Sequence, residues 1–103
     1  MSLPVVVRPS AETDLLESAL FIAEDDPAAA QRFLEEAEKG FTRLAEFPEI
    51  GSPRTAVDSS LAGLRLWPVA GFEKFRICYI PRSDHIDVLR VLHGARDSER
   101  FFE

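Results

Sequence analysis

Residues 64–92 read LRLWPVAGFEKFRICYIPRSDHIDVLRVL, and apolar and polar side chains alternate through much of this stretch. A period of two is typical of β-strands, because successive side chains of a strand point to opposite faces. Three strands are therefore predicted, over residues 64–69, 72–80 and 86–92. The connections between them are short and turn-like, which favours antiparallel neighbours.

The residues before this stretch predict two helices. Ser10 is the expected N-cap of the first helix, and Leu16 and Leu20 widen its apolar stripe. The pair Asp26-Pro27 follows, with a capping residue and a proline suited to the first position of a new helix. A second apolar stripe then continues until the next proline stops it. Two helices joined by so short a break form a helical hairpin.

A short β-branched strand over residues 3–8 comes first, so the predicted order is β-α-α-β-β-β. This order indicates an α+β class with two layers, in which the helical hairpin packs on one face of a mainly antiparallel sheet. Residues 48–63 are rich in Pro, Gly and Ser and are predicted to form a loop. The contact between the layers is expected to involve Leu15, Ile22, Phe33, Leu34 and Phe41 from the helices, and Phe75, Ile77, Tyr79, Leu89 and Val91 from the strands.

Composition and charge limit the function classes. The 103 residues carry a net charge of −6, and the acidic excess lies in residues 1–50, with 11 acidic and 4 basic side chains. Proteins that bind nucleic acid through its phosphates usually present a basic field, so direct nucleic-acid binding is not expected. One domain over residues 1–103 is the default for this length.

The sequence predicts a cytoplasmic protein without a cofactor. It has no apolar run of about 18 residues, and its start, MSLPVVVRPS, turns polar too soon for a signal peptide. The single cysteine, Cys78, fits a reducing compartment. His85, His93 and Cys78 show no metal-ligand spacing, so no metal site is predicted.

The sheet face turned away from the helices is the predicted binding surface. If the apolar side chains of each strand face the helices, three arginines emerge on the other face among apolar residues. Such a mixture suits a protein–protein contact and also suits phosphate binding. The competing interpretation is that these are solvated arginines whose stems cover apolar neighbours, and a register slip of one residue would scatter them. The expected contact residues are Arg65, Trp67, Arg76, Val88, Arg90 and Leu92.

Several segments together resemble the ParE/RelE superfamily of toxins from bacterial type II toxin–antitoxin pairs. The matching segments are SAETDLLESALFIAEDDP, AAAQRFLEEAEKGFTRLAEFP, PEIGSPR, LRLWPV, FRICYI and VLRVLHGARD, in this order over about residues 3–98. The loop PEIGSPR and the ending HGARD look more like the ParE branch. The resemblance implies the RelE/ParE-like fold and a role in plasmid stabilisation.

The resemblance implies two alternative activities. ParE-like members poison DNA gyrase by protein contact and are neutralised by an antitoxin, whereas RelE-like members cut messenger RNA on the ribosome. The cutting members activate the ribose hydroxyl, stabilise the phosphorane and protonate the leaving oxygen. Within residues 49–71 this chain has no lysine, no glutamate after the first residue and one aspartate, Asp58, which departs from the cutting members. The candidates for that activity are Arg65, Arg76, His93 and Arg96.

His93 has two interpretations. It matches the region of a catalytic histidine or tyrosine in the cutting members, but it also ends a strand on the presumed core side. A histidine in such a place more often forms a local hydrogen bond, so a structural role is favoured. Gly94 supplies the turn after it. Arg96 either pairs with Asp97 or faces a partner, and the tail after it forms a short helix or frays.

The sequence therefore predicts a toxin that acts on DNA gyrase by protein contact, rather than an enzyme, and that a ParD-like antitoxin neutralises. One alternative is a ribosome-dependent mRNA endoribonuclease. The other is a member without toxicity that only binds the antitoxin.

Overall fold

The structure is a computed structural model that describes residues 2–56 and 58–94. The elements are β1 (Val5–Val7), α1 (Pro9–Asp25), α2 (Pro27–Glu46), β2 (Ser52–Pro53), a 3-10 turn (Ser59–Leu61), β3 (Arg65–Val69), β4 (Phe72–Pro81) and β5 (Ile86–His93). The described strands form one sheet in the order β1-β5-β4-β3-β2, with β1 parallel to β5 and the other neighbours antiparallel. Two helices pack against this mixed sheet, so the predicted α+β class is confirmed.

The sequence predicted the N-cap of α2 correctly but not the N-cap of α1. Helix α1 begins at a proline with Arg8 at its N-cap, so the expectation that Ser10 caps it is wrong. The Ser10 hydroxyl instead donates a hydrogen bond to the Leu89 carbonyl at 3.0 Å, which ties α1 to β5. The predicted cap of α2 is confirmed, because the Asp26 carboxylate accepts a hydrogen bond from the Ala29 N–H at 3.1 Å.

The core between the helices and the sheet surrounds Phe33 of α2. Its ring is fully buried and meets the rings of Phe72 and Phe75 edge-on, with centroids 5.4 and 4.9 Å away. Leu34, which was expected to be buried, is 37% exposed. The other helix residues expected in this contact and four of the strand residues belong to this core or pack against it: Leu15, Ile22, Phe33, Phe41, Phe75, Ile77, Tyr79 and Val91.

A β-bulge in β5 changes which side chains face the helices. Cys78 pairs with Arg90 while Tyr79 pairs with Val88, so Leu89 is an extra residue in β5. One extra residue shifts the alternation of faces by one position. Val88 therefore joins the helix-side core and Leu89 lies on the opposite face, the reverse of the prediction.

The face opposite the helices carries a second apolar cluster, which includes residues from β3, β4, β5 and the 54–64 segment. Its buried members are Ala56, Leu64, Leu66, Cys78, Ile80, Leu89 and Leu92. Leu61 from the 3-10 turn packs against it. Buried apolar side chains therefore cover much of this face, and the prediction that it is open is wrong. We call these buried residues and Leu61 the second cluster.

A buried carboxylate in β5 binds the residues that directly follow its two neighbouring strands, β1 and β4. Asp87 is 5% exposed, and it accepts hydrogen bonds from Arg8 at 3.0 and 2.9 Å and from Arg82 at 3.2 and 3.0 Å. Burial acts to raise the pKa of Asp87, but the hydrogen bonds from the two arginines outweigh it and lower the pKa below its ordinary value. The ionised form is thus the one that the fold favours.

This arrangement predicts an acid-sensitive stability. Because the pKa of Asp87 is lower in the folded state, its contribution is complete well above about pH 4 and is lost as the pH falls through the folded pKa. Asp87→Asn should reduce the free energy of unfolding at neutral pH by about 1–3 kcal/mol. Urea unfolding at several pH values measures this, with the exposed-site variant Glu17→Gln as control. A difference between Asp87→Asn and wild type that stays constant from neutral pH into strong acid would contradict the prediction.

Candidate functional site

The residues predicted to form one binding face lie on two different faces of the sheet. Arg65 and Trp67 are on the helix side, because their partners in β4 belong to the helix-side core. Arg76 is on the opposite face, since its partner in β5, Leu92, belongs to the second cluster. The expectation that the arginines share one open face is therefore wrong, and the reason is the register of β3.

Arg65 and Tyr79 together anchor the loop that follows α2. The Arg65 guanidinium donates to the carbonyls of Glu49 at 3.0 Å and Gly51 at 2.7 Å. The Tyr79 hydroxyl donates to the Pro48 carbonyl at 2.7 Å and accepts from the Gly51 N–H at 2.9 Å. Burial raises the pKa of Tyr79 above its ordinary value, so the hydroxyl keeps the proton that it donates. These bonds give Arg65 a structural position.

Arg90 reaches α1 and not the opposite face. It donates two hydrogen bonds to the Asp14 carboxylate, at 2.7 and 2.9 Å. The same carboxylate accepts a bond from the Val91 N–H at 2.9 Å, next to the bulge. Two parallel bonds between a guanidinium and a carboxylate are strong and geometrically specific, so this pair positions α1 on β5.

Arg76 and His93 point to opposite sides of the sheet. Arg76 is partly buried beside Gly94, where an added Cβ would come within 3.7 Å of the guanidinium. The His93 ring packs edge-on against Phe75 of the helix-side core, with centroids 5.1 Å apart. The two side chains therefore do not converge on one space. Arg96 lies outside the described residues, as does the predicted tail.

The apolar members of the predicted face are mostly buried. Val88 is 0% exposed within the helix-side core, and Leu92 is 3% exposed within the second cluster. Trp67 is partly buried and lines a cleft of about 190 Å³ between α2 and β3, together with Gly40 and Arg43. The six residues predicted as one contact surface therefore do not form a single patch.

A wider groove lies elsewhere, between the end of α2 and the connection from β4 to β5. It has a volume of about 650 Å³, and its apolar lining includes Leu3, Phe47 and Ile50. None of the candidate residues that the structure describes lines it. Among residues 2–56 and 58–94, no group of three or more His, Cys, Asp or Glu side chains is arranged to bind a metal ion.

The family model described as the ParE toxin of the type II toxin–antitoxin system, parDE, matches residues 5–98. The chain belongs to the ParE toxin family. This match confirms the resemblance to the ParE branch that the segments from SAETDLLESALFIAEDDP to VLRVLHGARD indicate.

One solved structure, of the chromosomal ParDE TA system from P. aeruginosa, resembles this ParE-family toxin in fold. The TM-score is 0.70 at 15% sequence identity, and the alignment covers 89% of this chain and 96% of that chain. Among curated proteins no match is found. In the described part of this ParE-family chain, neither helix is long and apolar enough to cross a bilayer.

Proposed function

We propose that this ParE-family toxin acts by protein contact, inhibits DNA gyrase when free, and is neutralised when a ParD-like antitoxin binds it. Membership of the family supports the toxin–antitoxin part of this proposal. The observation that carries the choice of mechanism is the separation of Arg76 and His93 onto opposite faces of the sheet.

Cutting RNA at one phosphate needs a base, a charge stabiliser and an acid around the same atoms. In this chain Arg65 already donates to two backbone carbonyls, and His93 packs against a core ring. Arg76 lies on the other side of the sheet from both. The net charge of −6 also opposes the binding of a polyanion. These features favour inhibition by protein contact over cleavage.

Four of the residues expected to contact a partner stay partly exposed, and Arg65 and Arg90 among them already form hydrogen bonds within the chain. The other two are Arg76 and Trp67. We retain them as proposed contacts, on opposite sides of the sheet. An antitoxin that reached both would have to pass around an edge of the sheet. A flexible segment that folds on binding can wrap in this way.

Two assays run side by side test the proposal. The purified protein is added to a DNA gyrase supercoiling reaction and to an in vitro translation reaction whose message is examined for cleavage. Inhibited supercoiling that the antitoxin reverses, with intact message, is the expected result. Message cleavage would replace this proposal with the nuclease alternative. Inactivity in both assays would replace it with a member that only binds antitoxin.

His93→Gln is expected to leave gyrase inhibition within a few-fold of wild type, because the ring has a packing role against Phe75. Loss of a true general acid or base typically costs about 10²–10⁴-fold. The measurement is the protein concentration that halves the supercoiling rate, with His85→Gln in the β4–β5 turn as control. A loss of about 100-fold with an unchanged circular dichroism spectrum would contradict the structural role.

A further inference from the structure

Helix α1 turns its large apolar side chains to solvent. Leu16, Leu20 and Phe21 are 62%, 69% and 62% exposed. Positions 16 and 20 are one turn apart, and position 21 lies about 100° further round the helix than position 20, so the three side chains share one broad exposed side of α1. We call these three residues the α1 strip. Leu16 and Leu20 were expected to widen the apolar stripe of this helix, and the structure leaves both of them exposed.

The side chains on the buried side of α1 explain why the α1 strip does not pack in the core. The buried residues of this helix are small: Ala11, Ser18 and Ala19. Small side chains let the helix approach β5 closely, where the Ser10 hydroxyl and the Asp14 carboxylate bind its backbone at 3.0 and 2.9 Å. The larger residues Leu15 and Ile22 pack against the edge of the helix-side core, whereas the strip lies outside it as a separate apolar surface. Contiguous exposed apolar side chains on a soluble domain commonly mark an interaction site.

The charge around the α1 strip specifies the kind of partner. Helix α1 contains five acidic residues and no basic residue. One of them, Asp14, pairs with Arg90, whereas Glu17 and Glu24 are exposed on the same side as the strip. By helical position both acids project between Leu20 and Phe21, so this side of α1 mixes apolar and acidic side chains. It is complementary to a helix face that mixes apolar and basic side chains. A second copy of α1 would bring like charges together, and an anionic bilayer would be repelled in the same way.

We propose that the α1 strip is a docking site for a positively charged amphipathic helix of a partner protein. Apolar side chains spaced three or four residues apart on that helix would cover Leu16, Leu20 and Phe21, and its lysines or arginines would face Glu17 and Glu24. The partner helix would then lie against the hairpin as a third helix. This proposal goes beyond the proposed function, because it concerns a surface and its partner's chemistry and does not depend on the toxic target.

The test uses the full chain and a designed helical peptide of about five turns, with leucines along one face and lysines flanking that face on both sides. Binding is measured by titration calorimetry. The double variant Leu20→Ser, Phe21→Ser is expected to weaken binding at least about tenfold, since most of the apolar contact is removed. The matched control is Phe47→Ser, because Phe47 is 51% exposed at a different place and should bind as wild type does.

Further variants and peptides test the role of charge in this contact. Glu17→Lys with Glu24→Lys should weaken binding, and a peptide with glutamates in place of the lysines should not bind. A peptide of the same composition whose order gives no apolar face should also fail. Equal binding by that scrambled peptide would overturn the proposal in favour of non-specific charge attraction. An equal loss with Phe47→Ser would overturn it because the apolar contact would not be confined to the α1 strip. Failure of the lysine peptide to bind wild type would overturn it directly.

Two further measurements exclude other occupants. Sedimentation of the wild type and of the double variant tests self-association, and flotation with zwitterionic lipid vesicles tests membrane binding. Dimers or vesicle binding that the double variant abolishes would assign the α1 strip to a second copy or to a membrane. Monomers that ignore the vesicles, together with peptide binding that depends on Leu20 and Phe21, support the proposal. Circular dichroism of each variant confirms that these surface changes leave the fold intact.

Discussion

Replacing Phe33 by alanine is expected to lower the free energy of unfolding by about 3–5 kcal/mol. The ring is 0% exposed and lies at the centre of the helix-side core, in edge-on contact with Phe72 and Phe75. The change therefore removes the transfer free energy of a phenyl ring and leaves a cavity. Helix α2 on one side and the sheet on the other are rigid elements, so the cavity cannot collapse fully.

The neighbouring residue provides the control. Leu34 is 37% exposed on the adjacent face of α2, so Leu34→Ala should cost only about 1 kcal/mol or less. Urea unfolding of both variants, followed by far-UV circular dichroism, gives the two free energies. A loss at Phe33 below about 1 kcal/mol, or a loss at Leu34 as large as that at Phe33, would contradict the orientation of α2.

The sequence predicted the helical hairpin and the face of β4 because each has one clearly apolar side. In β4 the large apolar residues Phe75, Ile77 and Tyr79 alternate with Lys74 and Arg76, so the pattern has only one solution. Their burial against the helices confirms it. Element type and the core side of β4 were therefore readable from periodicity alone.

The faces of β3 and β5 could not be predicted in this way, because both faces of the sheet carry buried apolar residues. In β3, Leu66 lies in the second cluster while Trp67 packs toward the helices. When both faces of a strand are apolar, alternation no longer says which face meets which layer. In β5 the extra residue Leu89 shifts the alternation of faces by one position, and no pattern in the local sequence predicts this shift.

The ion pairs between distant segments also could not be predicted from the local sequence. Asp87 and Arg8 are 79 positions apart, and Asp14 and Arg90 are 76 apart. The one available signal is an acid inside the apolar run of β5, which requires a partner once it is buried. That signal predicts a partner for Asp87 but does not say which arginine supplies it. The arginine face predicted from β3, β4 and β5 was wrong for two reasons: the register of β3 places Arg65 on the helix side, and Arg90 pairs with the distant Asp14.

Gly51→Ala is expected to be the other strongly destabilising change, with a loss of about 2–4 kcal/mol. A Cβ on Gly51 would lie 2.6 Å from the Tyr79 hydroxyl oxygen and 2.8 Å from the Leu66 carbonyl oxygen. The carbonyl belongs to the backbone of β3, and the hydroxyl is fixed by its bonds to Pro48 and Gly51, so neither can move away freely. The loop would have to shift, and the buried Gly51 N–H would then lose its acceptor.

Gly71→Ala separates this steric cost from backbone strain. Gly71 has a φ of +80° with nothing within 4 Å of an added Cβ, whereas Gly51 is not among the glycines with positive φ. The Gly71 variant should therefore show only the left-handed backbone penalty, about 1–2 kcal/mol. Urea unfolding of both variants, followed by the fluorescence of the single tryptophan, compares the two costs. If Gly51→Ala cost no more than Gly71→Ala, the loop after α2 would be free to move, and the bonds of Tyr79 and Arg65 would not be what fixes it.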